Sequence, residues 1–435
     1  MTQPGDDGRR ELVVLAGLRL SDAPETAEPP LAELERLAAT AGGTAGARVF
    51  QRRQRPDPKY FVGKGKAEEI AQAAKAIGAR TVLFDNDLSP AQERNLEELT
   101  GCTVVDRSRL ILDIFALRAR TRQARVQVEL AQLEYSRSRL KRMWTHLERM
   151  EGAIGTRGPG EKQIEEDRRL VDRRIQQLKE ALEVEERRRA TRSAARQEFF
   201  KVSLVGYTNA GKSTLLRELT GSRAFVEDKL FATLDTQTRA WDLPDNQRVF
   251  LSDTVGFIRD LPHHLVASFH STLAEAVEAD LLLHVVDATS ADAEAHIRVV
   301  EETLAEIGAA GERLLVLNKM DAVDDGMQAA ILASAHPRAV RVSARTHLGL
   351  EELAARVAEV VLRSHRAVEL RVPAGAGRLL ALVAERGVVS ERRYEGDEVV
   401  LVARLSRRDL RRVDEELTRL GLAPVGAEPG TDDPL

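Results

Sequence analysis

Hydrophobic and polar positions in the first hundred residues form two patterns in turn, one typical of buried strands and one typical of helices. Apolar runs at residues 11–17, 47–50 and 81–85 predict buried strands, and helical patterns at 31–41, 67–77 and from Ser89 onward separate them. Ser89 followed by Pro90 is the residue pair favoured at a helix N-cap and first turn. Strands that alternate with helices predict a small α/β domain, which we place at residues 1–105.

A different pattern follows at residues 106–197. Apolar residues recur at spacings of three, four and seven, which predicts helices that pack along one apolar stripe. The two stripes consist of Val126, Leu130, Leu133, Leu140, Trp144 and Leu147, and of Ile164, Val171, Ile175, Leu178 and Leu182. Glycines 152, 155, 158 and 160 lie between them with Pro159 and predict a flexible tip. We predict a long helical hairpin that leads into a charged linker at 185–196; a plain two-helix spacer is the alternative.

The rest of the chain returns to alternating strands and helices. Residues 198–364 predict a mostly parallel sheet with flanking helices. Residues 365–435 predict a small α/β module with a strand at 368–372, a helix at 377–385 and a hairpin that turns at 395–397. A helix at 407–420 and a disordered tail complete it. The fold class is therefore a multidomain α/β chain.

Composition limits the environment and the partners of this chain. Among 435 residues only 4% are aromatic, so the cores must be aliphatic, and the single cysteine, Cys102, excludes an internal disulfide and a Cys-based zinc site. The N-terminus lacks the apolar core of a signal peptide, and no apolar run of about 18 residues occurs. The single cysteine fits a reducing cytosol, and we expect a monomer. The net charge is −4, yet residues 106–198 hold 23 Lys and Arg against 16 Asp and Glu, which indicates a local anionic contact.

The sequence GYTNAGKS, between a short strand at 201–205 and a helical run, matches the phosphate-binding P-loop. Its members are Gly206, Tyr207, Thr208, Asn209, Ala210, Gly211, Lys212 and Ser213. Glycines let the loop wrap a phosphate chain, and the backbone N–H groups and the helix N-terminus face the anion. We expect Lys212 to reach the β- and γ-phosphates and the Ser213 hydroxyl to bind Mg²⁺. The fold class of residues 198–364 is thus a P-loop NTPase domain.

Two further segments carry the remaining metal and phosphate contacts. The turn Asp253, Thr254, Val255 and Gly256 follows a strand, so Asp253 can hold Mg²⁺ through water and the Gly256 N–H can face the γ-phosphate. The switch segment contains Phe231, Ala232, Thr233, Leu234 and Asp235. A switch needs a threonine that completes Mg²⁺ coordination, and we choose Thr233. Thr236 and Thr238 compete with it on composition alone.

The base is predicted by the tetrapeptide Asn318, Lys319, Met320 and Asp321 after a buried strand. An Asp carboxylate accepts from both N1–H and the 2-amino group of guanine, and sites of this kind discriminate by roughly 10⁴ or more. Ser343, Ala344 and Arg345 offer backbone N–H groups suited to guanine O6. These motifs occur in order along residues 206–345, and together they predict GTP binding.

Phe257 stands where many GTPases place a glutamine that orients the attacking water. We therefore expect slow turnover by the protein alone, with Lys212, Thr233 and Gly256 as the catalytic residues. An ion, a rearranged switch or a partner would supply the missing groups. Asn209 is a candidate K⁺ ligand, although a loop-stabilising amide is the alternative. His263 and His264 could orient water or could be surface residues.

Several segments resemble HflX-type GTPases, a ribosome-associated family. They are YFVGKGK (60–66), DNDLSPAQERNLE (85–97), DRSRLILDIFALRART (106–121), GTRGPGEKQIEEDRR (155–169), GYTNAGKSTL, FATLD, DTVGFIRDLP, NKMD and SAR. The resemblance covers residues 11–364 and implies a cytoplasmic protein that binds the large ribosomal subunit. It also implies that the helical domain reaches rRNA near the peptidyl-transferase region, and that the protein splits or rescues stalled ribosomes under stress. Lys162 departs from the family pattern, which expects a smaller polar residue.

The basic residues that could contact rRNA are Arg118, Arg120, Arg122, Arg125, Arg157 and Lys162. Arginine and lysine beside phosphates would make RNA binding salt-dependent. The alternative for any one of them is a solvated helix face.

Two other functions stay open at this point. Gly63, Lys64, Gly65 and Lys66 raise the possibility of a second nucleotide site in an RNA-remodelling NTPase. A GTP switch that regulates a membrane or a protein partner is the other alternative, although no lipidation signal or amphipathic anchor is visible.

Overall fold

The computed structural model describes residues 11–23, 26–144, 159–193, 199–221, 230–231, 237–244, 247–259, 270–323 and 326–425. The described residues form three sheets with their helices and one pair of long helices. None of the helices described is long and apolar enough to cross a membrane.

The N-terminal sheet is parallel, with the strand order β2-β1-β3-β4. Its elements are β1 (Glu11–Leu20), α1 (Ala32–Ala41), β2 (Gly43–Arg53), α2 (Lys64–Ile77), β3 (Thr81–Phe84), α3 (Pro90–Thr100) and β4 (Thr103–Val105). The predicted start of α3 is confirmed, because the Ser89 hydroxyl accepts from the Gln92 N–H and the Gln92 side chain accepts from the Ser89 N–H. Helices cover both faces of β1, so residues 13–18 form a continuous buried run.

Three helices follow, α4 (Arg107–Arg118), α5 (Arg122–Trp144) and α6 (Pro159–Ser193). Leu130 of α5 packs with Ile175 and Leu178 of α6, so the predicted apolar stripe is confirmed for the described residues. Most of the predicted tip, including glycines 152, 155 and 158, lies outside them, as does Leu147. The prediction is wrong for Pro159 and Gly160, which form the first turn of α6, where proline fits because its missing N–H has no partner in a helix. α4 packs on α1 and also on α5.

The predicted linker at 185–196 is wrong over the part that the structure describes, because α6 continues to Ser193. Residues 185–193 contain no Gly or Pro, and Arg, Glu and Ala are all strong helix formers. Arg188 also forms an ion pair with Glu185 one turn earlier. High charge density here marks a solvated helix rather than a break between domains.

The central sheet has the order β10-β9-β8-β5-β7-β6, in which only the edge strand β6 is antiparallel. Its elements are β5 (Lys201–Val205), α7 (Lys212–Thr220), β6 (Gln237–Asp242), β7 (Arg248–Asp253), α8 (His270–Val277), β8 (Leu281–Asp287), α9 (Ala293–Glu306), β9 (Glu312–Asn318), α10 (Gly326–Ala335), β10 (Val340–Arg341) and α11 (Leu350–Ser364). The predicted parallel sheet is thereby confirmed. Because β5, β7 and β9 run in one direction, the loops that follow them meet at one edge of the sheet.

The C-terminal sheet is antiparallel, with the order β11-β13-β12. Its elements are β11 (Arg366–Pro373), α12 (Gly377–Arg386), β12 (Val388–Glu395), β13 (Glu398–Leu405) and α13 (Arg407–Arg419). The predicted hairpin is confirmed, with Gly396 at a φ of 64° in the turn. The predicted disordered tail falls on residues 426–435, outside the described part of the chain.

Truncation of the hairpin seam gives a test of this packing. We expect Leu178→Ala, at a side chain only 3% exposed, to cost about 2–5 kcal/mol of local stability and to accelerate amide exchange in both α5 and α6. Hydrogen exchange read by mass spectrometry measures this. Leu170 lies on the same helix but is 56% exposed, so Leu170→Ala is the matched control. Equal exchange in the two variants would contradict the packing described here.

Candidate functional site

The loop between β5 and α7 depends on two glycines that no other residue could replace. Gly206 has a φ of 151°, and a Cβ there would lie 2.1 Å from the carbonyl oxygen of Val285. Gly211 has a φ of 92°, and its Cβ would lie 2.3 Å from Nδ2 of Asn318. Both combine a left-handed or strained backbone with a close approach of a neighbouring strand. The loop is therefore held tightly against β8 and β9.

Lys212 lies under this loop rather than in solvent. Its Nζ donates to the carbonyl oxygens of Gly206 at 3.0 Å and Tyr207 at 2.9 Å. Burial lowers the pKa of Lys212 to about 8, although the nearby Asp253 carboxylate works in the opposite direction. The site therefore holds a desolvated cation beside the loop, ready for an anionic group.

The two residues predicted to hold Mg²⁺ on this side of the site lie together. The Ser213 hydroxyl donates to Oδ2 of Asp253 at 2.6 Å. Thr254 is fixed just after it, because its hydroxyl donates to the carbonyl oxygen of Leu204 at 2.7 Å. A hydroxyl and a carboxylate form an all-oxygen donor set of the type that Mg²⁺ prefers, so the residues present fit that ion.

Gly256 and Phe257 lie directly against the P-loop. A Cβ on Gly256 would lie 2.9 Å from Cα of Thr208 and 3.1 Å from Nζ of Lys212. The Phe257 N–H donates to the carbonyl oxygen of Gly206 at 3.1 Å, and the Thr208 N–H donates to the carbonyl oxygen of Phe257 at 2.7 Å. The Phe257 side chain is only 2% exposed and, like that of Val255, belongs to the apolar core. Its side chain fills the core while its backbone aligns the turn.

The switch segment is described only in part. Phe231 has a φ of 54°, is buried, and packs edge-on against Phe115 of α4 with ring centroids 4.6 Å apart. Thr238 lies in β6, with its hydroxyl 3.0 Å from that of Ser252. The other predicted residues lie outside the described part of the chain: Ala232, Thr233, Leu234, Asp235, Thr236, His263 and His264.

The predicted base-binding segments converge on the P-loop through one buried amide. The side chain of Asn318, 1% exposed, donates from Nδ2 to the carbonyl oxygen of Ala210 at 2.9 Å and accepts at Oδ1 from the Ala344 N–H at 3.1 Å. The Ser343 hydroxyl donates to Oδ1 of Asp321 at 2.6 Å, which fixes that carboxylate. The structure therefore brings together three segments, of which the first lies 108 residues before the second and the second 26 residues before the third.

The neighbouring residues complete this predicted base-binding loop. Lys319 has a φ of 65°, and its Nζ lies 2.7 Å from Oδ2 of Asp287. The Met320 N–H donates to the carbonyl oxygen of Val342 at 3.2 Å, which ties the loop to the end of β10. Arg345 is exposed, with one guanidinium nitrogen 4.0 Å from Asp321.

The structure describes the side chains of only four of the six predicted RNA-binding residues. Arg118, Arg120, Arg122 and Arg125 lie around the corner between α4 and α5, and all but the half-buried Arg118 are exposed. Arg157 lies outside the described residues, and Lys162 lies on α6 where only the backbone is described. The structure therefore brings four of the six together and does not show the other two beside them.

The alternative second nucleotide site does not have a comparable loop. Gly63 is the N-cap of α2, and Lys64, Gly65 and Lys66 form its first turn. Lys64 and Lys66 pair with Glu68 and Glu69 of the same helix. These residues form a helix start with local ion pairs.

Sequence reasoning missed four charged residues that contact the P-loop and the turn after Asp253. They are Glu33, Asp85, Arg107 and Arg259. One signal was available: Glu33 interrupts an otherwise apolar face of α1 beside Leu34 and Leu37. A buried acid of this kind requires a partner.

Three family models match the chain in succession. Residues 28–116 match the GTP-binding GTPase N-terminal model, residues 118–196 match the GTP-binding GTPase Middle Region, and residues 201–319 match the 50S ribosome-binding GTPase model. GTPase HflX of Escherichia coli K12 is 47% identical over 388 residues, which are 88% of this chain and 91% of that protein. The chain belongs to the HflX family of GTPases. As a member of this family it binds and hydrolyses GTP.

Other HflX proteins show the same extent of likeness. GTPase HflX of Lacrimispora saccharolytica is 44% identical over 90% of this chain and 93% of that protein. Among solved structures, the SsGBP–GDP complex is 24% identical, covers 81% of this chain and 99% of that chain, and has a TM-score of 0.45. A GTP-binding protein from Sulfolobus solfataricus with GDP is 25% identical with the same coverage and a TM-score of 0.42.

The pKa of Lys212 leads to a test of its role. Below pH 8 the free protein already carries the ammonium that a phosphate requires, whereas above pH 8 binding must first protonate the amine. We expect GTP affinity to fall between pH 8 and 9 by roughly fivefold, because the protonated fraction of an amine with a pKa of about 8 falls over that range from about one half to about one tenth. Titration with a fluorescent GTP analogue measures this.

The matched control is Lys212→Met, which removes the titrating amine. It should bind more weakly, with only the pH dependence that the nucleotide itself contributes. An identical pH profile for Lys212→Met and the unmodified protein would contradict this role of Lys212.

Proposed function

We propose that the protein is a GTPase that binds the large ribosomal subunit and splits or rescues stalled ribosomes under stress. The observation that supports this is the match of residues 201–319 to the 50S ribosome-binding GTPase model, in a chain that also carries an arginine cluster outside that domain. We further propose that it works as a cytoplasmic monomer.

Within the site we propose a role for each predicted residue. Lys212 contacts the β- and γ-phosphates, the Gly256 N–H faces the γ-phosphate, and Asp321 reads the guanine edge. Ser213 and Thr233 bind Mg²⁺ directly and Asp253 binds it through water, so the ion offsets charge on the phosphates. The hydrogen bond between Ser213 and Asp253 supports this proposal, because it places two oxygen donors within one ion's reach.

We also propose how the domains divide the work. Residues 1–105 and 106–197 form the two N-terminal subdomains, 198–364 the GTPase domain and 365–435 the C-terminal module. The arginines at the corner between α4 and α5 contact rRNA phosphates, together with Arg157 and Lys162. The exposure of Arg120, Arg122 and Arg125 supports the proposed contact between the corner arginines and rRNA.

The hydrolysis step requires a group other than residue 257, because the Phe257 side chain lies in the core. Asn209 is exposed at the P-loop surface with a φ of 62°, which asparagine tolerates better than most residues. We propose that its side-chain oxygen binds K⁺ beside the phosphates. The ion would then stabilise the charge of the transition state, as an arginine finger does in other GTPases.

Co-sedimentation tests the ribosome proposal. We expect the protein with a non-hydrolysable GTP analogue to sediment with large subunits, with an affinity that falls as salt rises. The double variant Arg120→Ala, Arg122→Ala should bind more weakly. In a plot of log affinity against log salt concentration, the magnitude of its slope should fall by about one for each phosphate group that the removed arginines neutralise.

The matched control replaces two exposed arginines of α11, Arg356→Ala with Arg363→Ala, which should bind as the unmodified protein does. Absence of co-sedimentation with large subunits would refute ribosome binding itself. Normal binding by the Arg120 and Arg122 double variant would instead refute the assignment of the arginine cluster.

Exchange of the monovalent cation tests the proposal for Asn209. We expect hydrolysis in K⁺ to exceed that in Na⁺ by up to roughly 10³-fold, the lower end of an arginine finger's contribution. Asn209→Ala should remove the difference by slowing the reaction in K⁺ alone. The control is Asn95→Ala, a half-buried residue of α3 whose amide donates to the carbonyl oxygen of Lys59 in the same domain. Equal turnover in the two salts would exclude the ion.

A further inference from the structure

A buried cluster of charges lies where the N-terminal domain meets the GTPase domain. Arg107, 2% exposed, donates to Oε2 of Glu33 at 2.7 Å and to Oδ1 of Asp85 at 2.6 Å. Burial works to raise the pKa of Glu33, but Arg107 and Arg259 outweigh it and hold that pKa below its usual value. The carboxylate is therefore charged at neutral pH. Buried charges of this kind are stable only while their partners stay in place.

The cluster reaches the GTPase domain at two segments. The Tyr207 hydroxyl of the P-loop donates to Oε1 of Glu33 and accepts from the Arg259 N–H at 2.8 Å. Arg107 donates to the carbonyl oxygen of Arg259 at 3.0 Å, and the Arg259 guanidinium lies 3.2 Å from Oδ2 of Asp85. Two carboxylates and one arginine of the N-terminal domain thus contact the P-loop and the turn after Asp253 together.

Surrounding contacts fix the Tyr207 ring within the GTPase domain and add a second link between the two domains. The Tyr207 ring stacks on that of His296 at 3.9 Å with an interplanar angle of 16°. The N–H groups of Ala27 and Glu28 donate to the Asp292 carboxylate at 2.7 Å and 3.0 Å. The Tyr207 side chain is therefore directed toward the domain interface, while the main chain of the P-loop faces the nucleotide site.

The position of Arg259 determines what the cluster can control. It lies three residues after Gly256, and the intervening Phe257 is paired by backbone hydrogen bonds with the P-loop. In this arrangement Gly256 stands beside the Lys212 ammonium, where a γ-phosphate would be contacted by both. Movement of Arg259 away from Tyr207 would allow the turn to leave its position beside the Lys212 ammonium.

We propose that Glu33, Asp85, Arg107, Tyr207 and Arg259 form a domain latch that holds the turn after Asp253 in its GTP-binding position. Glu33, Asp85 and Arg107 act as positioning residues through the N-terminal domain. Because coupling between sites is reciprocal, GTP must favour docking of the N-terminal domain by the same factor by which docking favours GTP over GDP. The domain latch rests on the proposed contact between Gly256 and the γ-phosphate and does not depend on ribosome binding.

Two conservative variants test the domain latch from its two sides. Glu33→Gln removes the charge from the N-terminal domain, and Tyr207→Phe removes only the hydroxyl while the ring keeps its place against His296. The measurement is the ratio of the dissociation constants for GDP and for a non-hydrolysable GTP analogue, determined with purified full-length protein and fluorescent nucleotides. We expect each variant to lower the preference for the GTP analogue by roughly fivefold or more, within the usual range of coupling between sites.

The double variant distinguishes the latch from two independent defects. Because both changes act on the same hydrogen bond, one by removing the charge of its acceptor and the other by removing its donor, Glu33→Gln with Tyr207→Phe should lower the ratio no further than the stronger single change. Glu35→Gln is the matched control, since Glu35 lies on the same helix but pairs with Arg48 inside its own domain, and its ratio should not change.

The latch is overturned by any of three results. They are an unchanged ratio in Tyr207→Phe, a shift of either single variant toward the GTP analogue, or strictly additive shifts in the double variant. If Glu33→Gln does not fold, Tyr207→Phe decides alone, since it introduces no unpaired charge. A loss of overall nucleotide affinity with a constant ratio counts against the latch, because a merely structural role predicts that outcome.

Discussion

The buried amide of Asn318 is the interaction on which the rest of the site depends. It bonds to the carbonyl oxygen of Ala210 on one side and to the Ala344 N–H on the other, with almost no exposure to solvent. An amide can do this because it carries a donor and an acceptor at a fixed separation. An Asp at this position would leave the Ala210 carbonyl oxygen without a donor, and a Leu would leave both backbone groups unsatisfied in the interior, which is costly. The phosphate loop and the base loop thereby keep a constant spacing.

Much of this arrangement follows from short stretches of sequence. The P-loop, its flanking strand and helix, and the base-binding tetrapeptide are local patterns in which chemistry and secondary structure agree. The start of α3 at Ser89 and the hairpin at Gly396 follow from turn chemistry for the same reason. Because β5, β7 and β9 run in one direction, the motifs that follow them then meet at one edge of the sheet.

The remaining features depend on contacts that no window of sequence contains. Glu33 and Tyr207 are 174 positions apart, and neither residue type predicts the other. The run at 185–196 is misleading because a dense mixture of Arg and Glu is equally compatible with a linker and with a solvated helix. The structure shows that α6 continues through this run as far as Ser193. In the sequence Phe257 stands out because many GTPases have a glutamine at this position. Its burial shows that the apolar core favours a large apolar side chain here.

The pairing of the Phe257 backbone with Gly206 and Thr208 has a consequence for protein engineering. Those hydrogen bonds involve main-chain atoms, so a substitution would leave the backbone aligned and the new side chain still directed into the apolar core. A glutamine placed there would bury its amide at a cost of about 1–3 kcal/mol and would not present it to a water molecule. A single substitution at residue 257 would therefore not supply a water-orienting amide to the site. That change would require redirection of the whole turn, because the main-chain hydrogen bonds set the direction of the side chain.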